Sequence, residues 1–477
     1  MSDGTGDGGD GTGDRTDGDT DDDDIAGTDG DGARRPSRPL RTDLSPIAEA
    51  VADADADAFV AVGDRFDDDL RYLTRFSGPD RAYALVVVPR VDPRIDRDAE
   101  RAGTGRAVLC APALFAEQAE REFVDRARTD EATAETAGPD DFHDGVTREV
   151  RTAAGGAHAG ERAAAAVAEL LDDERDGERD DERDGDRTLL VPASIPHDAA
   201  VYLERAGNAL ASTDAVSAAR ARKTDAEIDR LRRVQRASVA GMRRAETVLA
   251  ESEVPAGTGR DGATDRPPLR WNDAPLTTER LRREVNAALA ERGVRDAGNT
   301  VIGAGASAAD LHFVGDAEIR PGETVLIDVS PRGPDGYHGD VTRTFVVDGE
   351  GGWERRAYVA VEAAHEAALA EIEPGVPAAT VHGEAAAELA AYGFDPNAEE
   401  GEAGFTHGTG HGVGVSLHES PSLSGGTELR PGHVVTVEPG VYDPAVGGVR
   451  LEDLVLVTED GYEILAEHPF GIVPRAR

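Results

Sequence analysis

Apolar positions along this chain fall in short blocks whose spacing changes from one half to the other. In the first half, Phe59–Val62 and Tyr83–Val88 are almost wholly apolar, the pattern of strands buried on both faces. Leu189–Pro192 reads the same way, and Ala163–Leu171, rich in Ala and Leu, reads as a helix. Strands alternating with helices predict a small α/β domain over residues 40–212. A longer helix is predicted from Thr224 to Leu249, with Ile228, Leu231 and Val234 on one face. Thr224 is its N-cap, and Glu227, three residues on, completes a capping box. Leu276–Arg292 is a second amphipathic helix, and from Thr300 onward the pattern turns to strands and glycine-rich turns.

Composition adds three segments that the periodicity leaves blank. Residues 1–36, mostly Asp, Gly and Thr, have too little apolar surface to offset ordering entropy, so a disordered acidic tail is predicted. Asp172–Arg187 repeats Asp-Glu-Arg-Asp-Gly and reads as a solvated insertion, and Gly257–Pro268 reads as an exposed loop insertion. The formal net charge is −44, from 95 acidic and 51 basic residues, and such a field repels nucleic-acid phosphates and anionic membranes alike. Lys223 is the single lysine; every other basic residue is Arg. An acidic surface with so little Lys points to adaptation to high salt, although a GC-rich codon bias gives the same look. Cys110 is the single cysteine, so an intrachain disulfide and a cysteine-based metal site are excluded, and within Ala107–Cys110 it reads as a small buried residue. No run of about 18 apolar residues predicts a membrane span, and no apolar signal segment opens the chain, so a cytoplasmic placement is expected.

Candidate chemistry lies in the second half. Glu323–Asp328 is a β-run ending in an acid, Pro334-Asp335-Gly336 is a turn, and Asp340–Val347 is a second β-run. As a hairpin they would set Asp328 beside Asp340, where two carboxylates repel unless a cation lies between them. The plain alternative is an Asp340–Arg343 ion pair. In His407-Gly408-Thr409-Gly410-His411-Gly412-Val413-Gly414, followed by His418, three imidazoles fall within twelve residues, and the glycines permit close backbone approach. Val413 stands where a nucleotide fingerprint needs its third glycine, and neither the zinc-protease helix motif nor a serine elbow occurs. Val434–Gly440 and Gly448–Val455 are apolar strands interrupted by Glu438 and Glu452, and a charge so placed needs compensation. Arg450, two residues from Glu452 and on the same face, offers an ion-pair alternative, while Asp453 on the opposite face is expected to serve solvent or a turn. Together, four carboxylates and one imidazole make a mostly oxygen ligand set. It suits two divalent ions of hard or borderline character, with Mn2+ favoured and Co2+ or Zn2+ compatible.

The segments LIDVSPRGPDGYHGDVTRTF, HGTGHGVGVSLHE, TVEPGVY and GVRLEDLVLV resemble the metallopeptidases of the pita-bread fold, the family of methionine aminopeptidases, Xaa-Pro aminopeptidases, prolidases and creatinase. The likeness implies an α+β fold: a pita-bread catalytic domain over 220–474, preceded by a smaller α/β creatinase-like N-terminal domain. It implies Asp328, Asp340, His411, Glu438 and Glu452 as metal ligands, with Asp340 and Glu452 bridging two ions. It further implies that Glu438 relays a proton, that His312 and His418 contact substrate and stabilise its carbonyl, that His407 lies near the leaving-group pocket, and that Arg450 supports the site. The first half, in Asp69–Gly78, and the helix opening Arg222–Ile228 resemble the proline-specific and creatinase branches. The resemblance therefore implies a dinuclear exopeptidase, Xaa-Pro aminopeptidase or dipeptidase, acting on short peptides with proline second, and a homodimer. Two rivals are a creatinase-like C–N hydrolase of a small non-peptide substrate, in which ligand positions diverge, and a non-catalytic binding module on the same fold. All five ligand positions are intact here.

Overall fold

Branched apolar residues dominate the strands of the N-terminal domain, and the strands pair accordingly into one mixed sheet of six in the order β4-β3-β2-β1-β5-β6. These are β1 (Ala58–Gly63), β2 (Tyr83–Pro89), β3 (Gly105–Pro112), β4 (Val146–Ala153), β5 (Arg187–Pro192) and β6 (Asn208–Thr213). The structure, a computed structural model, describes residues 38–89, 105–125, 145–153, 157–173, 187–255, 266–399 and 401–476. The expected acidic tail and most of the two expected insertions, 174–186 and 257–265, lie outside those residues. β1–β2 and β2–β3 run antiparallel, whereas β3–β4, β1–β5 and β5–β6 run parallel.

Because side chains alternate along a strand, the sheet has two different faces. Val60 and Val62 join Ala163, Val167 and Leu170 of the helix Ala159–Asp173 in one core. Phe59 and Ala61 face the other way, into a core that continues without a break to Ile228, Tyr337, Val413, Val434 and Leu454 of the second half. Cys110 is buried in the first of these cores, as expected. Its run is part of strand β3.

The predicted connecting helix forms at Asp225–Ala250, with the Thr224–Glu227 capping box in place. It and the helix Thr278–Glu291 pack on a three-stranded sheet of β9 (Thr300–Ala304), β10 (Thr324–Val329) and β11 (Thr342–Val346), after a short hairpin of β7 (Arg270–Trp271) and β8 (Ala274–Pro275). A second sheet of β12 (Val434–Val437), β15 (Asp453–Thr458) and β16 (Gly461–Ile464) carries the helices Trp353–Ala370 and Ala378–Ala391, with the ribbon β13 (Gly440–Asp443) and β14 (Gly447–Arg450) beside it. Each half of the C-terminal domain is thus a sheet backed by two helices, the α+β pita-bread arrangement. The halves are stitched where β11 meets β14: Thr344 Oγ1 donates to the Arg450 carbonyl and Glu452 N–H donates to the Thr342 carbonyl, both at 3.1 Å.

Candidate metal centre

Every sequence-predicted acid sits at a strand end on that seam. Asp328 is the fifth residue of β10, paired opposite Thr342 of β11, and Asp340 lies two residues before β11. β10 and β11 form the predicted antiparallel hairpin. Glu438 occupies the break between β12 and β13, and Glu452 the break between β14 and β15. Side-chain oxygens of Asp328, Asp340 and Glu452 lie within 4.8 Å of one another. His411 completes the ring: its Nε2 is 3.3 Å from Glu438 Oε1 and 3.9 Å from Asp340 Oδ2.

The loop carrying His411 lies against β12, and its glycines are sterically required. A Cβ at Gly410 would sit 2.0 Å from the Thr436 carbonyl oxygen, and one at Gly412 would sit 2.3 Å from that of Ser420. Only glycine lets this backbone come close enough for Thr436 N–H to donate to the His411 carbonyl at 2.9 Å and Glu438 N–H to that of Thr409 at 2.8 Å.

Neutral polar groups, none foreseen in the sequence, hold the carboxylates in place. Ser330 Oγ lies 3.0 Å from Asp328 Oδ1 and 2.9 Å from Asp340 Oδ1. A hydroxyl carries one proton, so it serves only one of them at a time. Thr342 Oγ1 donates to Glu452 Oε2 at 2.7 Å, and Thr436 Oγ1 donates to Glu438 Oε1 at 3.1 Å. Gln235, on the connecting helix, brackets the Asp340 backbone by donating to its carbonyl at 2.6 Å and accepting from its N–H at 2.8 Å.

Two ion-pair alternatives fail. Arg343 does not pair with Asp340; it donates to Asp453 Oδ1 at 2.7 Å. Asp453 is accordingly buried, not turned to solvent, because a 1%-exposed guanidinium behind the seam requires a carboxylate. Arg450 pairs not with Glu452 but with Asp328, at 2.6 Å, and also donates to Tyr442 Oη at 3.0 Å. His407 Nε2 lies 2.8 Å from that same hydroxyl, which links the expected leaving-group histidine to Arg450. His418 and His312 are both solvent-exposed, and the His418 ring sits edge-on to His411 with centroids 4.2 Å apart. His418 thus stands at the edge of the site rather than in its floor, and His312 lies near enough to act on it electrostatically.

The charge state is uneven. Burial, then repulsion from Asp328 and Glu438, pushes Asp340 well above the usual carboxylate range. Glu452 is raised by burial and by Asp340 and Glu438, and Asp328 by burial against the pull of Arg450. Burial also pushes Glu438 up, but His411, His407 and Arg450 outweigh it and hold it below its ordinary value. Three desolvated carboxylates with one guanidinium and two hydroxyls, Ser330 and Thr342, among them remain short of positive charge. Their oxygen-rich donor set, with one imidazole, fits divalent cations of hard or borderline character.

Comparison with known proteins agrees with this geometry. Residues 229–459 match metallopeptidase family M24. The probable dipeptidase PepE of Mycobacterium bovis is 35% identical over 227 residues, covering 46% of this chain and 58% of that protein. The Xaa-Pro dipeptidase of Pyrococcus horikoshii is 37% identical over 172 residues, covering 35% of this chain and 47% of that protein. The matched region thus spans about half the length of these curated relatives. A solved Xaa-Pro dipeptidase from Bacillus anthracis superposes with a TM-score of 0.68 at 21% identity, over 90% of this chain and 98% of that one, so the likeness in fold extends to the N-terminal domain.

Proposed function

Starting from an M24 metallopeptidase domain, we propose that this chain is a dinuclear exopeptidase cleaving the bond before proline in short peptides. The observation that carries it is the convergence of Asp328, Asp340, His411, Glu438 and Glu452 on one seam, Asp340 and Glu452 buried and the other three half-buried. These five would hold two divalent ions. When bound, such a pair acidifies water and stabilises an oxyanion.

The chain's own groups do the rest. Glu438 is the one site acid held below its ordinary value, so it is ionised and able to take a proton and pass it to the departing proline nitrogen. His418 and His312, both exposed, orient the substrate carbonyl. His407 and Tyr442 line the side on which the leaving group departs, and Arg450 fixes Asp328. A scaffold role calls for substituted ligand positions, and none is substituted.

Xaa-Pro dipeptides and Xaa-Pro-Yaa tripeptides, assayed with Mn2+, Co2+ and Zn2+ in turn, test the reading and separate dipeptidase from aminopeptidase. Activity is expected to vanish on chelation, and Glu438→Gln is expected to lower kcat about 10²–10⁴-fold with the fold intact. Undiminished turnover in the chelated enzyme overturns the proposal.

A further inference from the structure

A second constellation lies on the other side of the hairpin loop. A cavity of about 270 Å³ between the N-terminal domain and the turn after β10 is lined by Arg65, Arg71, Arg295 and Arg332, with Phe66 and Ser77. None of its lining residues is acidic. Four guanidiniums without a lining carboxylate are unexpected in a chain where acids outnumber bases 95 to 51.

The arginines are held together against their mutual repulsion. Arg295 and Arg332 are bridged directly opposite each other: Arg295 N–H donates to the Arg332 carbonyl at 3.0 Å, and Arg332 N–H donates back at 2.8 Å. Like charges so placed destabilise a pairing. Among the described residues Arg332 alone of the four forms an ion pair, with Asp68 at 2.6 Å, while Glu122, which accepts from the backbone N–H of the lining Ser77 at 2.7 Å, pulls on Arg71. Arg71 reaches two carbonyls at 3.4 and 3.5 Å, and among the described residues Arg65 and Arg295 form no ion pair. Burial and then Arg332, with Arg295 adding to them and Asp68 opposing, push the neighbouring His338 down to about 4. Arg71 is held below its ordinary value by burial, against the pull of Glu122 and Asp335.

Guanidinium forks match tetrahedral oxyanions in bidentate geometry, and walls of protein strengthen that attraction over its value in water. Phe66, 65% exposed on the rim, offers an apolar face beside the charge. We propose that this cavity binds a phosphate-class oxyanion, either inorganic phosphate or a phosphate monoester. The site shares no residue with the five candidate ligands, but Arg332 and Gly336 belong to the turn that joins Asp328 to Asp340. An anion there would brace the hairpin that carries both aspartates.

Phosphate also binds metal centres, so the test uses the full chain both metal-loaded and chelated, at one fixed potassium chloride concentration. Inorganic phosphate and phenyl phosphate are titrated by calorimetry into the wild type and into the double variant R65A/R295A, whose replaced side chains are exposed. Expected is one saturable site per chain, indifferent to chelation and weakened at least tenfold in the variant. Tighter binding of phenyl phosphate would identify an ester as the ligand, and equal or weaker binding would identify free phosphate. Absence of saturation, or binding that disappears on chelation and survives in R65A/R295A, overturns the proposal. The result is independent of whether the chain cleaves Xaa-Pro peptides.

Discussion

One hydroxyl between two carboxylates states the problem of this site in miniature. Ser330 has a single proton to offer Asp328 and Asp340, so the other oxygen facing it needs a proton of its own or a cation. If the five side chains hold metal, Ser330→Ala removes a group that orients two of them. Such supporting partners are typically worth about 10–100-fold in metal affinity. Competition with a chelating dye should show that loss, and unchanged affinity would remove Ser330 from the site's support. Residues of this kind were invisible in the sequence. An acid inside an apolar strand advertises itself because burial penalises its charge, which is why Asp328, Glu438 and Glu452 could be picked out. Ser330, Thr342 and Gln235 carry no charge and break no pattern. Asp453 was misjudged for a different reason: strand alternation assigned it to an outer face, but that face is covered by Arg343, His365 and Phe470.

At the scale of elements, legibility followed local signals. The connecting helix announced itself through its cap, and the hairpin through its turn. The helices Trp353–Ala370 and Ala378–Ala391 leave little contrast for a periodicity to show, because alanine fills both their buried faces, as at Ala357, Ala360, Ala364 and Ala368, and their open ones, as at Ala370, Ala379 and Ala387. Strand β4, VTREVRTA, was hidden by the charged residues that an edge strand tolerates. Nor could local pattern reveal how one domain grips the other. The loop after His418 is tied to the N-terminal domain through Glu419, which accepts from Lys223 Nζ and Arg220 at 2.6 Å each, while Arg220 also holds Asp69 at 2.7 Å. The lone lysine of the sequence is therefore a buried structural cation, 7% exposed. Removing one partner of a buried pair strands the other, at about 3–5 kcal/mol. Glu419→Gln should lower the unfolding free energy, read from denaturant titration, by that order, and Glu419→Met combined with Lys223→Met should recover part of the loss. Strict additivity of the two single substitutions would show that the pair is not coupled.

Over the whole molecule the governing quantity is the net charge of −44, far larger than any local pair can offset. Self-repulsion at that density opposes the compact state, and salt relieves it: the Debye length falls from about 30 Å at 0.01 M to about 3 Å at 1 M. The thermal midpoint is therefore expected to climb as potassium chloride rises from tens of millimolar into the molar range at pH 7. Salt also strengthens hydrophobic burial by exclusion from the protein surface, and that effect does not depend on charge. The two separate at low pH. The sequence isoelectric point is about 4.5, and there screening has little net charge left to act on. Burial, reinforced by Lys223 and Arg222, pushes His433 down to about 4, so between about 6.5 and 4 the unfolded chain takes up a proton that the folded chain refuses, and stability falls as the pH falls. That loss is common to every salt concentration at a given pH and cancels when midpoints in low and high salt are compared. If repulsion dominates, the salt-induced gain seen at pH 7 should shrink sharply near pH 4.5. A gain of equal size at both pH values would assign the effect to burial of apolar surface instead, and the acidic composition would then carry no stability consequence of its own.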